Sequence, residues 1–303
     1  MLNDALDTYL AVRRAAGFDL VDDERNLRSF VRFASAQSDN YVVADTAIAW
    51  ARQANAEPQR GNRLKKVIRF ARFSHAADAR HEVPPQGVFC AQRKRPTPYL
   101  YTEEEIERLM AQTASLGPPS SQRVETYRTL IGLLAATGMR IGEAIGLCFH
   151  DVTADGLLIR ETKFHKSRML PLHPSTQAAL EQYIRRRRQF MATDDHVFVS
   201  SRHRPLTHDA IYPTFIKLLT AAGLPRLPGQ PRPRLIDFRH TFASNALLAC
   251  PTSRDHVGNH TLALMTYLGH AHPRSTYWYF ESSPALMNDI VQLCEQFIEE
   301  NKP

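Results

Sequence analysis

The chain has 303 residues, enough for one large domain or two ordinary ones around a sizeable core. Its hydrophobic fraction of 43% excludes a disordered chain, and no run of about 18 uncharged apolar residues marks a membrane span. Lysine and arginine outnumber aspartate and glutamate by 38 to 31, which favours an anionic partner because bound phosphates release condensed counterions.

The N-terminal ten residues carry acids and no basic leader, so they read as the start of a helix and not as a signal peptide. Four helices are predicted in the first 80 residues. The first spans 4–14, with Leu6, Tyr9, Leu10 and Val12 toward the core and Gly17 ending it. The second spans 25–36 and carries Leu27, Phe30, Val31 and Phe33; the third spans 46–54. The fourth, 63–75, sets Lys65, Lys66, Arg69 and Arg72 among Val67, Ile68, Phe70 and Phe73. One face is apolar and the other basic, which suits either a solvated face or one that contacts phosphates.

Residues 80–99 read as a linker. Pro84, Pro85, Gly87, Pro96 and Pro98 break regular structure, and a domain boundary is expected near residue 97. Thr102 and Glu105 then form a capping box ahead of Ile106, Leu109 and Met110. The second domain, 98–303, is expected to be mostly helical. A hairpin of 156–161 and 168–172 turns through 162–167, and helices follow over 174–190, 207–222, 237–249, 260–268, 272–281 and 285–299. Arg185 to Arg188 point all round their helix, so a solvated or partly phosphate-contacting helix is the simpler reading. The tail places Leu286, Ile290, Leu293, Phe297 and Ile298 on one stripe, for its own domain or a neighbouring protomer.

The cysteines Cys90, Cys148, Cys250 and Cys294 are far apart, as in a reducing cytosol. Residues 250–260 read as an inserted loop. Cys250, His256 and His260 within it do not follow a zinc spacing, and neither a metal nor a cofactor is expected.

Cutting a phosphodiester without metal needs a nucleophile in line with phosphorus, cations on the non-bridging oxygens and an acid for the leaving oxygen. Four segments supply such groups in order. Ala136-Thr137-Gly138-Met139-Arg140-Ile141-Gly142-Glu143-Ala144 places an arginine after a glycine turn, with Glu143 one helical turn on to orient it. Thr162-Lys163-Phe164-His165-Lys166-Ser167-Arg168 forms the hairpin turn. Ile236-Asp237-Phe238-Arg239-His240-Thr241-Phe242-Ala243 starts a helix. Leu268-Gly269-His270 is followed by Tyr279 nine residues later.

Together these segments resemble the boxes of the tyrosine recombinase, or phage integrase, family, over nearly the whole chain. The resemblance implies a mainly α fold: a helical core-binding (SAM-like) N-terminal domain, then an α-rich catalytic domain with a small β-sheet, closing as a clamp on double-stranded DNA. It implies that Arg140 and Arg239 hold the scissile phosphate and that Lys163 protonates the 5′-oxygen. His270 would donate a hydrogen bond to the phosphate. Tyr279 would attack to give a 3′-phosphotyrosyl bond. Tyr277 is the weaker candidate by spacing, and Trp278 and Phe280 would pack the nucleophile's helix. Lys65, Lys66, Arg69, Lys166 and Arg168 are the expected DNA contacts.

The resemblance also implies specific recombination sites, and a homo-tetramer on DNA or a mixed assembly with related recombinases. Protomers would exchange strands in pairs through a four-way junction. Residues 276–280 and the inserted loop look like those of integrases carried by bacterial mobile elements, acting at the nucleoid. One position departs from the pattern: Ile236 stands where the family usually has a histidine. Isoleucine cannot move a proton, so an accessory DNA-binding subunit is one alternative. A type IB topoisomerase-like enzyme is another. His240 is adjacent to Arg239 but about 100° round the helix, and is not assigned the missing role.

Overall fold

The computed structural model describes residues 2–89, 97–119, 121–162, 166–189, 194–224, 232–249 and 254–270; for 161, 162, 166 and 254–258 it describes the backbone alone. The chain divides into two compact units, Met1–Arg95 and Pro96–Pro303. No described helix is long and apolar enough to cross a membrane.

The first unit packs α1 (Leu2–Ala15), α2 (Val21–Ser35), α3 (Ala44–Arg52) and α4 (Glu57–Ala77) around one core. Leu6, Leu27, Phe30, Trp50 and Phe70 are fully buried in it, and the Phe30 and Trp50 rings meet edge to face at 5.6 Å. Gly17, at φ +81°, lets the chain reverse after α1. Val12, expected in the core, is instead 50% exposed. It lies two positions beyond Leu10, which turns it to the outer side of the apolar stripe. α4 begins six residues before its expected start, because Pro58 fits the first helical turn, where no N–H is needed.

The second unit opens with α5 (Glu103–Gln112), and its capping box forms as expected: Glu105 N–H donates to Thr102 Oγ1, and Thr102 N–H to Glu105 Oε2. α6 (Gln122–Thr137) runs through the middle of the core and contributes buried Leu130, Ile131, Leu133 and Leu134. After the short α7 (Ile141–Ile145), three antiparallel strands follow in the order β1-β2-β3: β1 (Val152–Thr153), β2 (Gly156–Thr162) and β3 (Lys166–Leu170). Two-residue β1 was not expected, since so short a strand shows no alternation. In the pairing Ile159 stands opposite Arg168.

α8 (Pro174–Arg187), α9 (His208–Ala221), α10 (Leu235–Leu248) and α11 (Arg254–Leu268) complete the described elements. α11 corrects the expectation of a loop through residue 260. It begins at Arg254, and its His260 ring makes a 2.7 Å hydrogen bond with the Ala246 carbonyl on α10. The arginine run of α8 is not uniformly solvated. Arg187 is buried and donates to the carbonyls of Asp194 and His196, while Arg186 pairs with Glu125. The expected helices 272–281 and 285–299, with Tyr277, Trp278, Phe280 and the tail stripe, lie outside the described residues, as does Cys250.

Candidate active site

Three separate elements deliver arginines to one place, the C-terminal end of α11. A helix leaves its last carbonyls without intrahelical partners, and these carry the negative end of the macrodipole. Here three successive carbonyls each receive a guanidinium. Arg168 Nε donates to Tyr267 O at 2.8 Å, Arg239 Nη2 to Leu268 O at 2.6 Å, and Arg140 Nη2 to Gly269 O at 3.5 Å. Gly269 has φ +66°, and the chain folds back there: Gly269 N–H donates to Thr266 O and His270 N–H to Met265 O. That reversal sets His270 directly beyond the arginines.

Each arginine is fixed locally as well. Gly138, at φ +60°, ends α6 and places Arg140 just ahead of the first turn of α7. Glu143 reaches back to Arg140 N–H at 3.0 Å and accepts Arg140 Nη1 at 2.8 Å. Arg239, 3% exposed on α10, donates Nη1 to Gly138 O at 3.1 Å. It thereby ties the end of α6 to the end of α11. Small contacts set the spacing of these elements: Phe242 of α10 stacks on Tyr267 of α11 at 5.4 Å.

The sequence reading places Arg168 among the phosphate contacts, but the structure turns it inward. Its side chain is 10% exposed, and it donates Nη1 and Nη2 to the two Glu143 oxygens at 3.1 and 2.8 Å. Inward register opposite buried Ile159 is the reason. Burial alone would lift the Glu143 carboxyl, but hydrogen bonds from Arg168 and Arg140 outweigh it and hold Glu143 below the ordinary carboxylate range. Three guanidinium charges less one carboxylate leave a net charge of +2 at this point. Such a cluster suits a phosphate.

His270 is half-buried beside these cations. Burial, reinforced by the charges of Arg239, Arg140, Arg168 and His240, lowers its pKa from 6.5 to about 3. The ring is therefore neutral at pH 7, with one N–H to donate. The sign of the linkage follows. Between about 3 and 6.5 the unfolded chain binds a proton that the folded protein does not, so stability falls as pH drops through that window. Denaturation midpoints between pH 7 and pH 4 are expected to fall more steeply in the parent than in His270→Gln. Equal slopes would remove His270 from the acid response.

Ile236 lies in the first turn of α10 and is 38% exposed. His240 lies one turn further along the helix; its side chain is 14% exposed and its Nε2 lies 4.0 Å from Asp237 Oδ1. Asp237 is fully buried and accepts Arg234 N–H, Nε and Nη2. The Arg234–Asp237 pair is a feature that the sequence reading does not contain. Lys163 and Tyr279 lie outside the described residues, as does the side chain of Lys166.

In the first unit, Lys65 and Arg69 are exposed along α4, and with Arg72 they line a groove of about 880 Å³ beside Leu64, Ile68 and Phe89. Lys66 differs in exposure: its side chain is 12% exposed and ion-paired with Asp22 and Asp23 of α2, while Arg69, 52% exposed, also reaches Asp23 at 3.4 Å.

The second unit brings arginines from two boxes together beside a histidine, an arrangement whose charge and donors suit a phosphate. The sequence profile described as "Phage integrase family" matches residues 100–285. The chain is 38% identical to a putative integrase/recombinase, y4rB, of Sinorhizobium fredii (strain NBRC 101917 / NGR234) over 96% of both chains. It is 26% identical to the tyrosine recombinase XerD of Xanthomonas axonopodis pv. citri (strain 306) over 90% of both. Its fold is similar to that of the Tn1549 transposon integrase solved with transposon right-end DNA, with a TM-score of 0.59 at 17% identity, covering 95% of this chain and 99% of that one. The chain belongs to the phage integrase family: it is a tyrosine recombinase, a DNA strand transferase of the site-specific type.

Proposed function

We propose that the protein cuts and rejoins double-stranded DNA at specific sites through Tyr279, in the service of a bacterial mobile element. The observation that carries this reading is the convergence of Arg140 and Arg239 on the α11 terminus beside His270. A guanidinium carries five N–H donors, so an arginine that holds one or two carbonyls can still receive an anion. Arg140 and Arg239 hold the non-bridging oxygens as charge builds on them, and neutral His270 donates its N–H to the same phosphate.

The Tyr279 oxygen attacks phosphorus, the bond to the 5′-oxygen breaks, and Lys163 supplies the proton to that oxygen. The tyrosyl ester conserves the phosphodiester energy, so a 5′-hydroxyl can reverse the step without a nucleotide cofactor. Nearby guanidinium charge favours ionisation of the attacking tyrosine. Exchange between two duplexes breaks four strands, which calls for four nucleophiles and hence a tetramer on DNA. The 1–97 domain adds phosphate contacts from Lys65 and Arg69, while Lys66 serves mainly to hold α4 against α2. Similarity to the Tn1549 integrase supports the mobile-element context.

Ile236 favours a second reading, an accessory subunit that binds DNA and cleaves poorly. Covalent capture on nicked duplexes from the ends of the protein's own element decides between them. An adduct on denaturing gels that disappears in Tyr279→Phe supports the active enzyme. Tight duplex binding with no adduct supports the accessory role.

A further inference from the structure

We infer that Arg168 is a positioning residue that locks the β2–β3 hairpin to the end of α11 and keeps Arg140 available to the substrate phosphate. The inference rests on the reading of Arg140 as part of the phosphate clamp.

All three guanidinium nitrogens of Arg168 donate to protein acceptors: Nε to Tyr267 O, Nη1 to Glu143 Oε1 and Nη2 to Glu143 Oε2. A residue so engaged, and 10% exposed, is not placed to touch DNA. Its plane lies over Gly269, where an added Cβ would stand 2.8 Å from Nη1 and 3.0 Å from Cζ. Arg168 thus holds the chain at Tyr267, just before the reversal that presents His270, and packs against Gly269 within it. It also belongs to β3, which pairs with β2, so one side chain joins that strand pair to the phosphate clamp.

The second half of the argument concerns Glu143, whose carboxylate serves two arginines of different exposure. Arg140 is 39% exposed and Arg168 is 10% exposed. With Arg168 present, both carboxylate oxygens already have strong donors. Without it, a largely buried carboxylate is left with Arg140 alone. A bidentate pair with Glu143 then competes with the phosphate for the same guanidinium.

The test uses the full chain in three variants, Arg168→Lys, Arg168→Met and Arg168→Met with Glu143→Gln. Three quantities are read: affinity for the nicked duplex, rate of adduct formation, and the NMR titration of the His270 ring in the free protein. Lysine keeps the charge but cannot make the fork. Arg168→Lys is expected to bind the duplex as the parent does, to form adduct about tenfold or more slowly, and to let the His270 pKa climb toward its ordinary value. Because the charge is retained, that climb reports lost positioning. Arg168→Met is slower still, and adding Glu143→Gln is expected to restore part of the rate by releasing Arg140. A purely structural role predicts no such rescue.

An unchanged His270 titration in Arg168→Lys, or a double variant no faster than Arg168→Met, overturns the inference. If Arg168→Met does not fold, Arg168→Lys decides by its rate and its His270 titration. A parent that forms no adduct on these duplexes sinks the proposed activity there, and the His270 titration still decides the role of Arg168.

Discussion

Arg239→Met is expected to slow adduct formation about a thousandfold at saturating DNA, the loss that follows when a preorganised donor to a developing anion is removed from a dry site. Of the three arginines gathered at the α11 terminus, Arg239 is the most buried, at 3% exposure, and it bonds the carbonyls that end both α6 and α11. Its charge is held where the dielectric is low, so it acts on a phosphate more strongly than a surface arginine would. Methionine preserves length and volume but donates nothing. The Gly138 and Leu268 carbonyls then lose their partner, at roughly 1–3 kcal/mol for each buried group left unsatisfied. A fall in the unfolding midpoint should therefore accompany the fall in rate. Arg239→Lys separates the two effects: the charge stays and the fork is lost, so the rate should lie between parent and Arg239→Met. Cleavage by Arg239→Met within tenfold of the parent would remove Arg239 from the clamp.

What could be read beforehand was local. The capping box of α5 needs only Thr102 and Glu105, three residues apart, and the structure contains it. The helix end marked by Gly17 is legible for the same reason, since a left-handed residue after an apolar stripe is a short-range signal. Residues 254–260 were misread because Gly258, Asn259 and several polar groups argue for a loop by propensity. Tertiary packing overrides a cost of about 1 kcal/mol for one glycine. α11 packs Leu264 and Leu268 against Ala243 and Leu247 of α10, and no local window contains that pairing.

The site divides the same way. Motif order brought Arg140, Arg239 and His270 together on paper, and the fold places all three at the α11 terminus. The role of Arg168 was illegible because its partners are far along the chain: Glu143 is 25 residues away and Tyr267 is 99. Sequence periodicity put Arg168 on a strand, but which face it used depended on register, and one residue of slip reverses that face.

Gly138→Ala should be damaging out of proportion to the single methyl group it adds. The position has φ +60°, which costs an L-residue about 1–2 kcal/mol before any contact is considered. The added Cβ would stand 2.7 Å from Phe242 Cδ1 and 2.9 Å from Phe242 Cβ and Cγ. A ring met along its edge and its root cannot swing clear as a flexible side chain can. It is also backed by Tyr267 in a stack only 16° from parallel. Relief therefore has to come from moving α10 or α11, and the expected total is about 3 kcal/mol or more. The displacement reaches the chemistry directly. Gly138 O anchors Arg239, Phe242 lies one turn from it on α10, and Tyr267 O anchors Arg168. An error of about 1 Å in a clamp of this kind is enough to cost a hundredfold in rate. The measurement is paired: the unfolding midpoint and the single-turnover rate of adduct formation, both at a temperature where the variant remains folded. Loss of stability with a parental rate would mean that Gly138 supports the fold without setting the clamp. Loss of both, with duplex affinity retained, would show that the end of α6 holds Arg239 in register with the α11 terminus.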